Sequence, residues 1–508
     1  MSDKGYGSAC AKLGELIDGL GGLCERRGAC EPGRLVSGVG SDSRRIGPGF
    51  IFVAVCGFTT DGHLHIDSAI EAGAVAIVCE TLPAELRDGV CYLRVTESRK
   101  ALAELSKICY GHASDQLMLI GVTGTNGKTT TARLITSMLN AAGIPAGYIG
   151  TGLCRIGDRD MPLERTTPES HDLHALFRQM VDAGCRAAVM EVSSHALILD
   201  RVYGLFFRAT VFTNLTPEHL DFHKTMVEYA AAKRLLFERL RPDGFGVVNA
   251  DDPQAAFMVG GLPAERRVCC SLANASSFCD LSRRFRVFVS TSTVEGSTAD
   301  VTFGDRLATM QIPLPGQYNV MNMLEAFAVG VGLGIDPDAA ITGLAGADAV
   351  PGRMERIWNA DRTRCGVIDY AHTPDALQKA LETLRAVTPA GSKLAVVFGC
   401  GGNRDRQKRP VMGRIAAELA DRVIVTSDNP RNESPEAILD EVEAGMAGRA
   451  HLRIADRAEA IRQAVEQLGN GDILLVAGKG HEEYQEIAGR KHYFSDRESL
   501  EEYFAKME

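Results

Sequence analysis

LMLIGVTGTNGKTTTAR, residues 117–133, carries an apolar segment into a turn of glycine, threonine and asparagine, and then into a Lys-Thr-Thr helix start. A strand, a glycine turn and a helix in this order make a phosphate cradle. Backbone N–H groups and the positive end of the helix face the anion, Lys128 neutralises the outer phosphates, and the Thr129 hydroxyl suits magnesium. The strict phosphate-loop spacing puts glycine five residues before Gly127, whereas position 122 is Val, so the loop is a variant built on Gly124 and Gly127. Gly124, Thr125, Asn126, Gly127, Lys128, Thr129 and Thr130 are the candidate nucleotide contacts. The competing reading is a strand-to-helix turn without a ligand, and the Gly-Lys-Thr run at its end argues against it.

Outward from this loop, strands and helices alternate. After it come the helical ESHDLHALFRQMVDAG, strands RAAVMEV and ATVFTN, the helical MVEYAAAKRLLFERL and strand FGVVNADD, a pattern that predicts a parallel sheet covered on both faces. Residues 284–311 instead alternate apolar with polar and predict an antiparallel edge ribbon. Before residue 113 lie short strands IFVAV, AVAIVC and CYLRV with the helical DSAIEAGA and ALAELSKICYGH. From 350 onward CGVIDY, KLAVVFG, RVIVTSD and DILLVAG alternate with helices to give a doubly wound sheet. The fold expected is therefore α/β in three domains: a small N-terminal module at 1–112, a central parallel sheet with the phosphate loop at 113–349, and a C-terminal Rossmann-like domain at 350–508. The Ala/Gly/Pro stretch AGADAVPGR marks the last boundary.

Length and charge narrow the function. A chain of 508 residues exceeds one hydrophobic core, and a net charge of -10 with dispersed basic residues offers no footprint for nucleic acid or for an acidic membrane. The start MSDKGYGSAC has no apolar signal core, and no apolar run approaches a membrane span, so a cytoplasmic protein is expected. Its fourteen cysteines are scattered, without Cys-x-x-Cys, and read as reduced core residues.

Strand AAVMEV ends at Glu191, beside the loop, at the strand end where parallel sheets bind ligands; a carboxylate there holds a metal directly or through water. In TNLTPEHLDFH, His219 and His223 are four apart, but Leu220 stands where a zinc-protease helix needs glutamate, so a neutral His219 serving magnesium or phosphate is the better reading. For His223 a helix-capping role is equally open. In the last domain DYAHTP, GCGGNRDRQKRP, SDNPRNESP and AGKGHEEYQ each follow a strand, so they gather at one edge. They supply Asp369, His372, Arg404, Asp428, Asn429, Arg431, Lys479, His481 and Glu482, a set suited to a zwitterion: Arg431 for a carboxylate, Glu482 or Asp428 for an ammonium. A dinucleotide site in GCGGNRD lacks both the G-x-G-x-x-G spacing and the following acid.

GTNGKTT, EVSSHAL, TNLTPEHLDFH, PGQYNVMNMLEA, PGRME, DYAHTPDAL and DNPR occur in this order, and with them nearly the whole chain resembles the Mur ligase family, most of all its diaminopimelate-adding members. The resemblance implies an ATP-dependent ligase of peptidoglycan precursor synthesis with three substrates: UDP-N-acetylmuramoyl-L-alanyl-D-glutamate, ATP and meso-diaminopimelate. It implies Mg2+ as cofactor and a monomer. It assigns Ser41, Ser43, Phe58, Thr59 and Thr60 to the UDP end, Arg165, Thr166, Thr167, Ser193 and Arg201 to the muramoyl peptide, and Asn322 and Arg353 to the nucleotide. Leu199 departs from the glutamine often found there and is left out. Lys233, unremarkable by itself, matches a lysine carbamylated by CO2, which with Thr129, Glu191 and His219 would hold the metal. Arg404, Asp428, Asn429, Pro430, Arg431, Gly478 and Glu482 match the amino-acid pocket, and DNPR marks the diaminopimelate-adding members. The implied chemistry activates the D-glutamate γ-carboxylate as an acyl phosphate, which the incoming amine attacks.

Two other readings compete. A folate polyglutamate synthase shares the ligase chemistry but lacks the N-terminal UDP module and DNPR. A GTP switch needs Asn-Lys-x-Asp, which is absent, and leaves the C-terminal charged cluster idle.

Overall fold

The computed structural model describes residues 11–21, 25–57, 60–272, 279–280, 283–347 and 350–507. The chain divides into two compact units, Met1–Phe285 with Glu325–Gly343, and Arg286–Leu324 with Leu344–Glu508.

The first unit holds two large sheets, besides the short antiparallel pair Ala11–Lys12 with Leu35–Val36. In the N-terminal one the order is Glu25–Gly28, Cys91–Arg94, Ala76–Cys79, Phe50–Val53, Gly38–Gly40, parallel except for the first strand. Buried Ile51, Val53, Val78 and Leu93 face helices Leu13–Gly19 and Ser98–Cys109 on one side, while Phe52, Ile77 and Tyr92 face helix Ile66–Glu71 on the other. This is the two-sided burial that near-continuous apolar strands demand.

The second sheet places the phosphate-loop strand Met118–Thr123 between Ala187–Glu191 and Phe207–Phe212, with Leu240–Asn249 and Arg267–Ser271 beyond one neighbour and Ala146–Gly150 beyond the other, all parallel. An antiparallel hairpin, Leu153–Ile156 with Arg159–Pro162, adds to Ala146–Gly150; its short strands gave no alternation long enough to read. Glu191 pairs in register with Val122, and Phe212 with Thr123, so three strand ends deliver their following residues to one edge.

In the second unit Gly296–Phe303 and Arg306–Ile312 form the expected antiparallel ribbon. The main sheet runs Glu355–Trp358, Cys365–Asp369, Ile473–Ala477, Leu394–Phe398, Arg422–Val425, Leu452–Arg453, parallel except for the first strand. Leu377, Met412 and Ile438 cover one face, and Ile461, Leu500 and Phe504 the other, so the sheet is doubly wound. Thr373 caps the helix Pro374–Val387 by accepting from Ala376 N–H at 3.3 Å, with proline at the position that needs no donor.

The cysteine reading is corrected: Cys30 is bonded to Cys91 and Cys269 to Cys279. Gly28 pairs with Cys91 across the sheet, so the chain leaving that strand carries Cys30 back onto it, a contact that a separation of 61 residues conceals. Eight further described cysteines are free, and only Cys56 among them is exposed.

Candidate functional site

The phosphate loop is held by the strand end beside it. Asn214 accepts from Asn126 N–H at 2.9 Å and donates back to the Asn126 carbonyl at 3.1 Å, while Thr125 N–H reaches the Asn214 carbonyl at 2.9 Å. Gly124 has φ 151, and a Cβ there would collide with Thr213 Oγ1; Gly127, at φ 84, opens the helix Lys128–Ala141. Glycine is required at both. Thr213 and Asn214, passed over in the sequence, are the residues that shape the loop.

Two lysine nitrogens converge on one oxygen. Lys128 Nζ donates to the Gly124 carbonyl at 3.0 Å and to that of Thr125 at 2.7 Å, and Lys233 Nζ donates to the same Gly124 carbonyl at 2.7 Å. Lys233 lies on helix Met226–Glu238 and is 1% exposed, with Nζ 4.3 Å from the centre of the Tyr229 ring. Burial, and then the charge of Lys128, hold its pKa well below that of an ordinary lysine, against a smaller opposing effect of Glu218. An Ala-rich amphipathic segment concealed this burial.

Glu191 is fully buried and accepts only from neutral donors: Tyr148 OH at 2.6 Å, Thr151 N–H at 3.0 Å and the Thr151 hydroxyl at 3.2 Å. Among the described residues it has no basic partner, and carboxylate oxygens are the ligand type a hard cation takes. His219 begins the short helix Leu220–His223 in a left-handed conformation, and burial lowers its pKa, so its imidazole is neutral. Its ring lies 4.8 Å from that of His195, which the sequence reading did not single out and which burial brings to about 4. His223 pairs with Ser194 Oγ at 2.8 Å and stacks on Tyr229, so it is a packed member of this cluster rather than a cap. Among the described residues no three His, Cys, Asp or Glu side chains converge as a ready metal site.

The proposed muramoyl-peptide residues come together. The Thr167 hydroxyl donates to the Glu191 carbonyl at 2.9 Å and accepts from Ser193 N–H at 3.0 Å. Arg201 donates to the Thr167 carbonyl at 3.1 Å and pairs with Glu169 at 3.0 Å, as Arg165 does at 2.8 Å. Thr166 meets Thr151 at 3.0 Å between hydroxyl oxygens. In the N-terminal module Ser41 follows strand Gly38–Gly40, Ser43 opens a turn capped by Asp42, and Thr60 contacts His65 at 3.1 Å; Phe58 and Thr59 lie outside the described residues.

In the second unit the four loops do meet at one edge. Lys479 is fully buried among Asn429 Oδ1 at 3.2 Å, Asp428 at 3.6 Å and Glu482 at 3.6 Å. Asn429 also donates to Glu482 at 3.0 Å, and burial pushes the Glu482 carboxyl up, partly offset by Lys479. Arg431 Nη1 donates to the Gly402 carbonyl at 2.8 Å, and its guanidinium borders Gly401 together with the Arg404 stem. A Cβ on Gly402 would collide with the Pro430 carbonyl, and a Cβ on Gly478, at φ 118, would lie 3.8 Å from Asp428. Asp369 accepts from Met354 N–H at 2.8 Å, and Arg353 lies 4.6 Å over the Tyr370 ring. His481 stacks on the same ring at 5.8 Å, the His372 ring meets it edge-on at 4.7 Å, and His372 Nδ1–H donates to the Tyr370 carbonyl at 2.8 Å. Asn322, in helix Gln317–Gly332, is buried and donates to Asn319 at 3.3 Å.

Fold and phosphate loop define a class: an α/β protein with a nucleotide-phosphate site at the edge of a parallel sheet. Three family descriptions match along the chain, "Mur ligase family, catalytic domain" over residues 35–110, "Mur ligase middle domain" over 122–330 and "Mur ligase, glutamate ligase domain" over 352–480. The chain belongs to the Mur ligase family, with its three-domain α/β fold. It is 72% identical, over 100% of both chains, to the UDP-N-acetylmuramoyl-L-alanyl-D-glutamate--2,6-diaminopimelate ligase of Chlorobaculum tepidum. A solved structure of a ligase of that name superposes with a TM-score of 0.69 at 32% identity, covering 98% of this chain and 99% of that one. The Thermotoga maritima MurF ligase in complex with ADP shares the fold alone, with a TM-score of 0.61 at 20% identity over 92% of this chain and 97% of that one.

Proposed function

We propose that this protein joins meso-2,6-diaminopimelate to the D-glutamate γ-carboxylate of UDP-N-acetylmuramoyl-L-alanyl-D-glutamate, with cleavage of ATP to ADP and phosphate, as a cytoplasmic monomer of peptidoglycan precursor synthesis. Residues 1–112 hold the UDP end, 113–349 the ATP and 350–508 the amino acid. The observation that carries this is the charged cluster at the second unit's sheet edge, where the Arg431 guanidinium, the buried Lys479 and Asp428 and the half-buried Glu482 would provide for both charges of a zwitterion.

An amide does not form from a free carboxylate in water, so the γ-carboxylate first attacks the γ-phosphorus, and the bond to the β-phosphate breaks to release ADP. Lys128 lies at the helix start, where it offsets charge that builds on the transferring phosphoryl group, and the loop N–H groups orient the phosphates. The resulting acyl phosphate is attacked by the neutral amino group of the incoming amino acid, and phosphate leaves. Thr167, Ser193 and Arg201 position the peptide, and Arg431 orients the diaminopimelate carboxylate.

By the family resemblance Glu191, Thr129 and His219 would hold a magnesium ion, and the depressed Lys233 amine suits carbamylation, which turns a cation into an oxygen-bearing anion. Bound there, magnesium would supply charge neutralisation at the phosphates. ADP release and tripeptide formation test the reading: both require all three substrates, and ADP release without tripeptide in the complete mixture would refute it.

A further inference from the structure

Resting on that reading of the pocket, we propose that Glu486 is a specificity-determining positioning residue that aims the Arg431 guanidinium at the carboxylate of the incoming amino acid. Arg431 has φ 52, a left-handed conformation that a residue with a Cβ enters only when its surroundings hold it there. What holds it is the strand Tyr484–Ile487, the first of a hairpin closed by Arg490–Tyr493. Arg431 N–H donates to the Glu486 carbonyl at 2.9 Å, and Ala488 N–H donates to the Arg431 carbonyl at 2.7 Å. Glu486 N–H reaches Asn429 Oδ1 at 2.9 Å, and the Gln485 amide reaches the Asp428 carbonyl at 2.8 Å. The whole Asp428–Arg431 turn is thus seated on this strand.

The side chains complete the arrangement. Arg431 Nε lies 3.2 Å from Glu486 Oε2, while Nη1 is fixed on the Gly402 carbonyl at 2.8 Å. The Nη1 hydrogen bond to the Gly402 carbonyl and the ion pair of Nε with the Glu486 carboxylate together restrict the rotation of the guanidinium, and with it the direction of its other donors. Arg431 and Glu486 are 20% and 27% exposed, so water weakens this pair less than it does a surface ion pair. Without the Glu486 carboxylate, Nε loses its partner and the guanidinium turns about its stem.

The substitution Glu486→Gln keeps size and backbone bonds but removes the charge. Its expected effect is a diaminopimelate KM raised on the order of ten-fold. The kcat at saturation and the ATP KM stay within about twofold, and Glu486→Asp recovers part of the loss. In an Arg431→Ala background Glu486→Gln adds nothing further, because its effect passes through that guanidinium. Thermal unfolding of each variant, matched to the parent protein, excludes general damage. An unchanged or lower diaminopimelate KM in Glu486→Gln, or an equal penalty in the Arg431→Ala background, overturns the inference while leaving the ligase reading intact. Absence of tripeptide from the unsubstituted protein with diaminopimelate overturns the ligase reading itself.

Discussion

Replacing Lys233 with alanine probes the phosphate site most directly. An ordinary lysine with a pKa of about 10.4 is neutral in about one molecule per thousand near neutral pH, and each unit of depression multiplies that fraction about tenfold. Lys233 is pushed far in this direction by full burial and by Lys128 on the same Gly124 carbonyl. Only the neutral amine reacts with CO2: a nitrogen–carbon bond forms, one proton leaves to solvent, and the side chain becomes an anion. Where that anion would help hold the magnesium ion that neutralises charge at the phosphates, Lys233→Ala lowers kcat on the order of 10²–10³-fold, the usual consequence of losing a preorganised electrostatic contact. Steady-state ADP release at saturating substrates gives kcat, and carbon-13 bicarbonate NMR of the unsubstituted protein reports the carbamate carbon. Lys128 still occupies the Gly124 carbonyl in the variant, so the loop keeps its shape. A kcat within a few-fold of the parent, or mass spectra showing unmodified Lys233 in fully active enzyme under bicarbonate, refutes the reasoning.

Arg431→Ala or Arg431→Lys is expected to lower kcat/KM for diaminopimelate by a factor equivalent to about 2–5 kcal/mol, with ATP binding nearly unchanged, because a carboxylate is left without its planar partner. Equal losses for both ligands in steady-state kinetics contradict that assignment. Gly124→Ala forces a Cβ into Thr213 at φ 151, so ATP affinity measured by calorimetry falls while diaminopimelate binding persists. His174 is buried, and burial lowers its pKa to about 3 from an ordinary 6.5. The unfolded chain therefore takes up the proton first. Its contribution to stability is full above the ordinary value and is lost as pH falls toward about 3, at about 1.4 kcal/mol per pH unit. Calorimetric Tm measured from pH 7 to pH 5 should fall less steeply in His174→Leu, and parallel curves would count against it.

Local order along the chain was readable because it is written in periodicity. The strand Met118–Thr123, the loop and the helix after it follow from a run of apolar residues, two glycines and Lys-Thr-Thr, and the four loops of the last sheet share an edge because each follows a parallel strand. Arg431 and Glu482 stood out for the same reason. The hairpin Leu153–Pro162 did not, because four-residue strands carry too little alternation, and neither did the bonds Cys30–Cys91 and Cys269–Cys279.

By itself the sequence determined the α/β class, the phosphate loop and the kinds of side chain at each strand end, since these depend on local pattern and on chain order. Tertiary structure alone decided that Lys233 is buried against the carbonyl that Lys128 also holds, that Thr213 and Asn214 shape the loop, and that Glu486 faces Arg431. Such meetings join residues tens or hundreds of positions apart, and burial and charge are set by whatever packing brings near, which no local spacing records.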